Sequence, residues 1–314
     1  MPFDVLDPVA TPFRPNWSSS PRTDFQFRTG IFTAADGREQ RYPQLRRPKV
    51  SVQFEHLATG AHAGRAWSMM GNLMNRSLAV RDFRMNATGR VSENGASVIL
   101  NAQAFAYWWP VGTRIVIEDR DGAVEHTAII TASDPLTRTL AYDAPAPEAM
   151  RGRMMSVGSA VVASLDEEQS GKVWHSRAAG LEVRATAFNG IDAIGGAPLD
   201  VFPLKHGDRD AMTTKFTKQS RAVDFGIGRR EEATGYASWV SGFRQAEVQS
   251  YQLDAAQKQA LVSFYCGVRG RLGSFQAPGI LEGAKFRFAS DTLTVEHLND
   301  QVSRATAPII QVVE

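Results

Sequence analysis

Alternation of apolar and polar residues runs through much of the chain and predicts many β-strands. The segments 50–57, 243–253 and 286–298 alternate with a period of two, which is the spacing of side chains on one face of a strand. Two other stretches repeat their apolar residues with a period near 3.6, from Trp67 to Leu78 and from Leu261 to Val268. That period is typical of an amphipathic helix. The pattern therefore predicts a mainly β, α+β fold with two helices.

The second helix also has a predicted start and end. Asp254 is a suitable N-cap, and Gln257 stands three residues later, where a capping box places Glu or Gln. Gly270 suits the C-terminal stop. One buried stripe is predicted from four apolar residues at i, i+3, i+4 and i+7: Leu261, Phe264, Tyr265 and Val268.

An internal repeat is the most informative feature of the sequence. Segments 21–43 and 212–235 share four identities at one common offset of 191 residues: Thr23 with Thr214, Phe25 with Phe216, Gly37 with Gly228 and Arg38 with Arg229. The predicted order of elements after each segment is also the same, namely a strand, a helix and a strand. We infer a duplication, with a first repeat over 1–85 and a second over 191–314.

The intervening region, 86–190, has a different pattern. It contains short alternating runs separated by turn residues, including Asp121–Gly122 and Asp134–Pro135. Evenly spaced short strands predict an inserted small β-barrel or sandwich. The runs at 156–165 and 180–188 either complete this domain or bridge to the second repeat.

Composition and charge exclude several classes of protein. The 314 residues are 43% hydrophobic and 22% charged, which is typical of a globular chain, and the net charge of +2 is too balanced for a dedicated nucleic-acid binder. The chain contains no apolar run long enough to span a membrane, and its start resembles no secretory signal. We therefore expect synthesis in a cytoplasm and no membrane partner. A single cysteine, Cys266, excludes an internal disulfide framework and cysteine-rich metal sites.

Candidate chemistry is sparse. The six histidines show no metal-ligand spacing, and Asp119 and Asp121 with Gly122 form only part of a calcium-loop signature. No nucleotide-binding glycine motif or nucleophile elbow is present. A pair of carboxylates of the glycosidase type needs only proximity in space and stays open. The sequence predicts no enzyme, no cofactor and no metal.

One group of aromatic residues gives a binding hypothesis. Tyr107, Trp108 and Trp109 are adjacent, so in a strand at least one must face away from the others. They form a candidate exposed patch for carbohydrate or protein contact. The alternative is a strand buried on both faces.

Several segments of the sequence resemble those of a known protein family. The run FRPNWSSSPRTDFQFRTGIFTAADGREQR, and the later runs FYCGVRGRLGSFQAPG and FRFASDTLTVEHL, are similar to the distal-tail and minor tail-tip proteins of long-tailed bacteriophages and gene transfer agents. The resemblance covers about 13–85 and 199–314. In that family an aromatic-containing helix, an arginine- and glycine-rich turn and an aromatic strand follow one another, as in Phe264, Tyr265, Arg269, Gly270, Arg271 and Phe275.

The resemblance implies both a fold and a role. Each repeat would be a tail-tube-like β-sandwich or split barrel with one packed helix. The protein would be a structural ring of the virion's tail tip or baseplate, joining tail tube protein to tail hub protein and receptor-binding parts, and DNA would pass through its lumen without specific binding. Two repeats per chain suggest a homotrimer with pseudo-six-fold symmetry, with a homohexamer as the alternative.

On this interpretation the candidate residues belong to interfaces or to the lumen. They are Arg38 and Arg229 beside Gly37 and Gly228, together with Arg269 and Arg271. Two other functions remain open: a carbohydrate-binding or adhesin module acting through the central β-domain, and a wall-degrading hydrolase.

Overall fold

The computed structural model describes residues 8–34, 38–59, 63–101, 109–119, 125–175, 178–191, 199–204, 209–217, 220–224, 230–234, 244–280, 283–299 and 301–312. Elements of the first segment are Val9–Ala10 (β1), Arg22–Gln26 (β2), Thr29–Thr33 (β3), Glu39–Pro43 (β4), Lys49–Thr59 (β5), Ala63–Leu73 (α1) and Leu78–Val91 (β6). Those of the middle segment are Ser97–Leu100 (β7), Arg114–Glu118 (β8), Glu125–Asp134 (β9), Thr139–Tyr142 (β10), a 3₁₀ turn Glu148–Met150, Met154–Leu165 (β11), Ser170–His175 (β12) and Ala178–Ala187 (β13). Those of the last segment are Arg209–Thr217 (β14), Ser220–Asp224 (β15), Arg230–Thr234 (β16), Arg244–Leu253 (β17), Ala255–Val268 (α2), Phe275–Gln276 (β18), Lys285–Phe288 (β19), Thr292–His297 (β20) and Ser303–Val312 (β21).

The predicted mainly β fold with two helices is confirmed. Helix α2 begins at the predicted N-cap, where the Asp254 carboxylate accepts from the backbone N–H of Gln257 and the Gln257 side chain accepts in return. Its left-handed C-cap is Arg269, one residue before the glycine we expected, at φ 57°. Helix α1 ends at Leu73, and Leu78, expected on the helix, begins β6 instead.

The two predicted repeats contain the same elements in the same order. A strand (β2, β14), a hairpin (β3–β4, β15–β16), a long strand (β5, β17) and a helix (α1, α2) follow one another in each. The second hairpin begins and ends 191 residues after the first (220 − 29 and 234 − 43). Its pairing is equivalent too, since Thr29 lies opposite Pro43 and Ser220 opposite Thr234.

The repeats also share their strand pairings. In the first, β5 pairs with β2 and β13, and β13 pairs with β12 near its start and β11 near its end. In the second, β17 pairs with β14 and β21, and β21 pairs with β20 near its start and β19 near its end. Finally β11 pairs with β6, as β19 pairs with β18. The elements β2 to β6, α1 and β11 to β13 therefore each have a topological equivalent in the second repeat.

These equivalences place β11, β12 and β13 in the first repeat, beyond the boundary we predicted at residue 85. Within the region 86–190 that we assigned to the insertion, Val161, Leu181 and Val183 lie in the same core as the flanking repeats. The insertion occupies the connection between β6 and β11, where the second repeat has only the segment between β18 and β19. Alternation along 180–188 identified a strand, but it gave no information about which sheet that strand joins.

A single hydrophobic core serves both repeats. Side chains from β2, β5 and β13 share it with side chains from α2, β20 and β21. Its densest part is an aromatic cluster in which the ring centroids of Phe264 and Phe275 lie 5.1 Å apart and those of Tyr265 and Phe288 4.9 Å apart. Edge-to-face aromatic packing of this kind stabilises beyond the area it buries. The repeats are thus parts of one folding unit.

A second core lies inside the insertion. Pairings run antiparallel from β6 to β7, β10, β9, β8 and β11, and then back to β6. The enclosed side chains include Trp109, Met150 and Met155. Such a cycle leaves no unpaired edge among these strands.

A bulge in β6 marks the junction between the two cores. Asn86 lies opposite Gly158 and Arg81 opposite Ala160, so residues 82–85 face only Ser159. The buried Asp82 carboxylate stabilises this bulge, because it accepts hydrogen bonds from the Arg84 backbone N–H and guanidinium at 2.7–3.0 Å. Extra residues in one strand bend it and redirect its side chains. Here the bulge turns β6 from the large core into the insertion.

Candidate assembly surface

Eight strands, four from each repeat, form one continuous antiparallel sheet. Their order is β12–β13–β5–β2–β20–β21–β17–β14. The first four belong to repeat one and the last four to repeat two. The halves meet in the middle, where β2 pairs with β20, and we call this pairing the internal joint. The two ends of the sheet are β12 and β14.

Polar contacts across the internal joint lie on the face of the sheet that is turned away from the core. Arg22 lies opposite Glu296, and its guanidinium contacts that carboxylate at 3.0 Å. Asp24 lies opposite Thr294, whose hydroxyl donates to the carboxylate at 2.5 Å. Cross-strand pairs of this kind help to fix the register of a sheet.

A buried polar network lies beneath the joint on the core side. The Thr23 hydroxyl donates to the Asp82 carbonyl at 2.7 Å, so it accepts from Nε2 of His297 at 3.1 Å. Nδ1 of the same ring then accepts from the Ser303 hydroxyl at 3.2 Å. Burial, together with the nearby Lys258 ammonium, lowers the pKa of His297 well below its ordinary value. The ring is therefore neutral, and it connects strands of both repeats.

The Lys258 ammonium itself is almost completely buried. It donates to the Phe83 carbonyl at 2.9 Å, and Phe83 has a φ of 57° within the β6 bulge. A positive φ is strained for a bulky residue. The contact from α2 of the second repeat therefore helps to hold the bulge of the first.

The polar face carries balanced charge on five adjacent strands, while the outer strands β12 and β14 add the exposed Lys172 and Lys215. On β2, β5, β13, β20 and β21 its ionisable residues are four basic and four acidic: Arg22, Lys49, Arg184, Arg304, Asp24, Glu55, Glu182 and Glu296. Several are paired, as in the Arg184–Glu182 contact at 2.7 Å. An open groove of about 510 Å³ crosses this face near Gln53 and Lys172. Such a surface has no strong field of one sign.

Both ends of the sheet present polar residues to solvent. Ser170, Gly171 and Lys172 of β12 are exposed, as are Thr213 and Lys215 of β14. Over the part of the chain that the structure describes, β12 pairs only with β13, and β14 only with β17. Each outer strand therefore has one edge that no described strand covers.

The hairpin β3–β4 reaches from the first repeat onto the second. The Glu39 carboxylate forms two hydrogen bonds with the Arg287 guanidinium on β19, at 2.7 and 3.0 Å, with exposed side-chain fractions of 1% and 5%. Arg41 also donates to the Leu272 carbonyl at 2.8 Å. The hairpin is thereby anchored beside the turn that follows α2.

The predicted interface residues fall at two places in this arrangement. Arg38 is exposed at the tip of the β3–β4 hairpin, where its carbonyl accepts from the Ala34 N–H. Arg269 and Arg271 lie in the turn that this hairpin contacts, Arg269 exposed and Arg271 half-buried. Gly37, Gly228 and Arg229 lie outside the described residues. The hairpin also exposes Phe32 and Tyr42.

The predicted exposed aromatic patch does not include Trp109. Its side chain is fully buried in the core of the insertion, where it contributes to packing. Tyr107 and Trp108 lie outside the described residues. Trp109 itself lies outside the described strands, since β8 begins at Arg114.

One cluster of charged residues was not predicted from the sequence. Glu118 lies 3.6 Å from Arg14 and also contacts Arg81, and Glu125 lies 3.9 Å from Arg14. Burial raises the pKa of Glu125 to about 7, with a further contribution from the Glu118 charge. The cluster connects the N-terminal segment to the insertion, and no local motif in the sequence indicates it.

The described residues show no group of side chains arranged to hold a metal ion. Nor does any helix in the described ranges have the length and apolarity needed to cross a membrane. No protein-family model matches the chain, and a search of curated proteins gave no match either.

Proposed function

We propose that this protein is a structural ring component of a phage-type tail tip, a distal-tail or minor tail protein that joins a tail tube to hub and receptor-binding parts. The observation that carries the proposal is the eight-stranded sheet built from two equivalent halves. A chain that contains two copies of one unit, joined edge to edge, can present those units around an axis. Each repeat would be a tail-tube-like unit with one packed helix, and the insertion a small β-barrel carried on the first.

The face of the sheet turned away from the core suits the lining of a DNA channel. It is polar, and on the five adjacent strands β13, β5, β2, β20 and β21 its four basic and four acidic residues balance. Tight binding of DNA requires several basic groups that displace counterions from phosphates. A balanced lining would let DNA pass without holding it.

We favour a homotrimer, because three chains would present six equivalent repeats. Such a ring would match a six-fold tube on one side and a three-fold hub on the other. Native mass spectrometry of the purified chain, with class averages from electron microscopy, tests the proposal. We expect a trimer with an open channel and six similar lobes; a hexamer would remove the symmetry-matching role and leave the ring role.

The alternative of a carbohydrate-binding module receives no support from the described residues. Its candidate aromatic patch loses Trp109 to the core. The Trp109→Ala substitution is therefore expected to destabilise the insertion, and it does not test glycan binding.

A further inference from the structure

We propose that β14 of one subunit pairs antiparallel with β12 of a second copy of this chain, and that this contact repeats the internal joint between subunits. The inference deepens the proposed ring and rests on it for the choice of partner. It is an edge-to-edge contact between two different surfaces, so it can propagate around an axis and close into a ring.

The two outer edges are the equivalents of the two edges that meet in the internal joint. β14 occupies in the second repeat the position that β2 occupies in the first, because each pairs with the long strand of its own repeat, β17 and β5 respectively. β12 occupies in the first repeat the position of β20, because each forms a hairpin with the strand that follows it. Within the chain, β2 and β20 cover each other's free edges. Their equivalents β14 and β12 lie at opposite ends of the sheet and cannot do so within one chain.

The internal joint also sets the register of the proposed contact. The offset of 191 carries Arg22 and Asp24 of β2 to Thr213 and Lys215 of β14. Strands β12 and β20 can be aligned through their neighbours. The pairings of β12 with β13 and of β13 with β5 match those of β20 with β21 and of β21 with β17 at an offset of 124 residues, which carries Ser170 to Thr294. Because Asp24 lies opposite Thr294, we expect Lys215 to lie opposite Ser170 of the next subunit.

The chemistry of the two edges is compatible with that register. Ser170 donates to the Glu182 carboxylate at 2.5 Å, and the exposed Glu167 and Glu168 precede β12, so acidic groups lie close to the position that would receive Lys215. Opposite charges close to one another across a strand pair are favourable, whereas like charges directly opposite are not. The neighbouring pair, Thr213 with Lys172, would bring no like charges together.

Half of the identities between the repeats lie on the same edge strand. Thr23 and Phe25 are the buried residues of β2 at the internal joint, and the residues at the equivalent positions of β14 are Thr214 and Phe216. Two of the four identities that revealed the duplication therefore fall on the edge that we assign to the subunit contact. An uncovered strand edge is also prone to non-specific pairing, which gives a physical reason for a dedicated partner.

Disulfide trapping tests the contact and its register. In the Lys215→Cys/Ser170→Cys double variant of the full chain, we expect mild oxidation to produce covalent oligomers that end at the size of the closed ring. The Thr213→Cys/Ser170→Cys variant shifts the register by two residues and is the matched control. A disulfide requires β-carbons about 4 Å apart, so we expect the aligned pair to react on the order of tenfold faster. The native Cys266 is buried and stays in all variants.

Two further arms distinguish the alternatives. Asp24→Cys/Thr294→Cys places the equivalent pair in the internal joint and should give an intramolecular disulfide, which shows that the geometry is competent. Lys215→Cys alone should give no dimer, while its mixture with Ser170→Cys chains should give dimers only. Dimers of Lys215→Cys alone, or equal rates for the aligned and shifted pairs at the highest soluble concentration, would overturn the proposal.

This test is separable from that of the proposed function. If the protein forms a ring but the aligned cysteines do not react, the ring role stands and the pairing of β14 with β12 is disproved. If the aligned cysteines crosslink but the protein forms no channel, the pairing of β14 with β12 stands and the tail-tip role is disproved.

Discussion

The buried ion pair between Glu39 and Arg287 gives the sharpest prediction about how the two repeats are held together. It joins the β3–β4 hairpin of the first repeat to β19 of the second through two hydrogen bonds, at 2.7 and 3.0 Å. The Arg287→Met substitution would leave the Glu39 carboxylate buried, with the Arg41 guanidinium 3.9 Å away. Removing one partner of a buried ion pair typically costs about 3–5 kcal/mol. We expect a loss of about 3 kcal/mol, because Arg41 compensates in part.

Urea unfolding of four proteins checks this value as a double-mutant cycle: the native chain, Arg287→Met, Glu39→Gln and the double variant. The double variant should be more stable than the sum of the single losses predicts, by about 2 kcal/mol, because contacting residues are coupled. Arg22→Met is the matched control. Its pair with Glu296 has a similar distance of 3.0 Å, but the side chains are 46% and 33% exposed, so we expect a loss below about 1 kcal/mol. Equal losses at the two sites, or additive effects in the cycle, would refute the reasoning.

Three smaller predictions concern titration and capping. The pKa of His297 is lower in the folded than in the unfolded protein, so stability falls as pH decreases below about 6.5, by up to about 1.4 kcal/mol for each pH unit. In thermal melts, His297→Gln should lack this part of the dependence of stability on pH. An unchanged pH dependence would contradict the neutral buried ring. The folded pKa of Glu125 is about 7 against an ordinary 4.5, so stability falls as pH rises between these values. At pH 8, Glu125→Gln should be more stable than the native chain by roughly 1–2 kcal/mol after allowance for partial exposure. A less stable variant would show that the carboxylate is ionised and paired. Asp254→Ala should cost about 1 kcal/mol in urea unfolding by removing the N-cap of α2, while Asp254→Asn should lose much less; equal losses would count against the capping role.

Local patterns in the sequence predicted the local structure of this protein. The period of two predicted β5 and β17, although the alternating segment 286–298 is divided into β19 and β20, and the residues Asp254 and Gln257 predicted the start of α2 to the residue. The offset of 191 between segments 21–43 and 212–235 agrees with the two hairpins, whose strands begin and end at that spacing. Each of these features depends on residues that are close together in the chain, or on a comparison of two such groups.

The contacts that join the repeats could not be predicted in this way. Arg22 and Glu296 are separated by 274 residues, and Glu39 and Arg287 by 248. No periodicity specifies such partners, because each residue is an ordinary charged residue of a strand in its own local sequence. The pairing of β13 could not be predicted for the same reason: this strand alternates as any strand does, and only the structure shows that it pairs with β5 of the first repeat.

The burial of Trp109 depends on tertiary structure as well. A row of three adjacent aromatic residues requires two faces, but it does not say whether both faces are covered. In this protein Trp109 lies inside the closed cycle of strands that forms the insertion, next to side chains such as Tyr142 and Met150. The sequence raised both possibilities, and the fold decides between them for this residue.

Single-particle electron microscopy of the purified chain tests the central claim most directly, which is that two equivalent repeats per chain assemble head to tail around a channel. We expect a closed ring of three chains with six similar lobes, in which the end strand β14 of each chain continues the sheet into β12 of the next. A ring of six chains would remove only the symmetry-matching role, whereas an assembly in which β14 and β12 lie at the periphery and contact no other subunit would contradict the central claim.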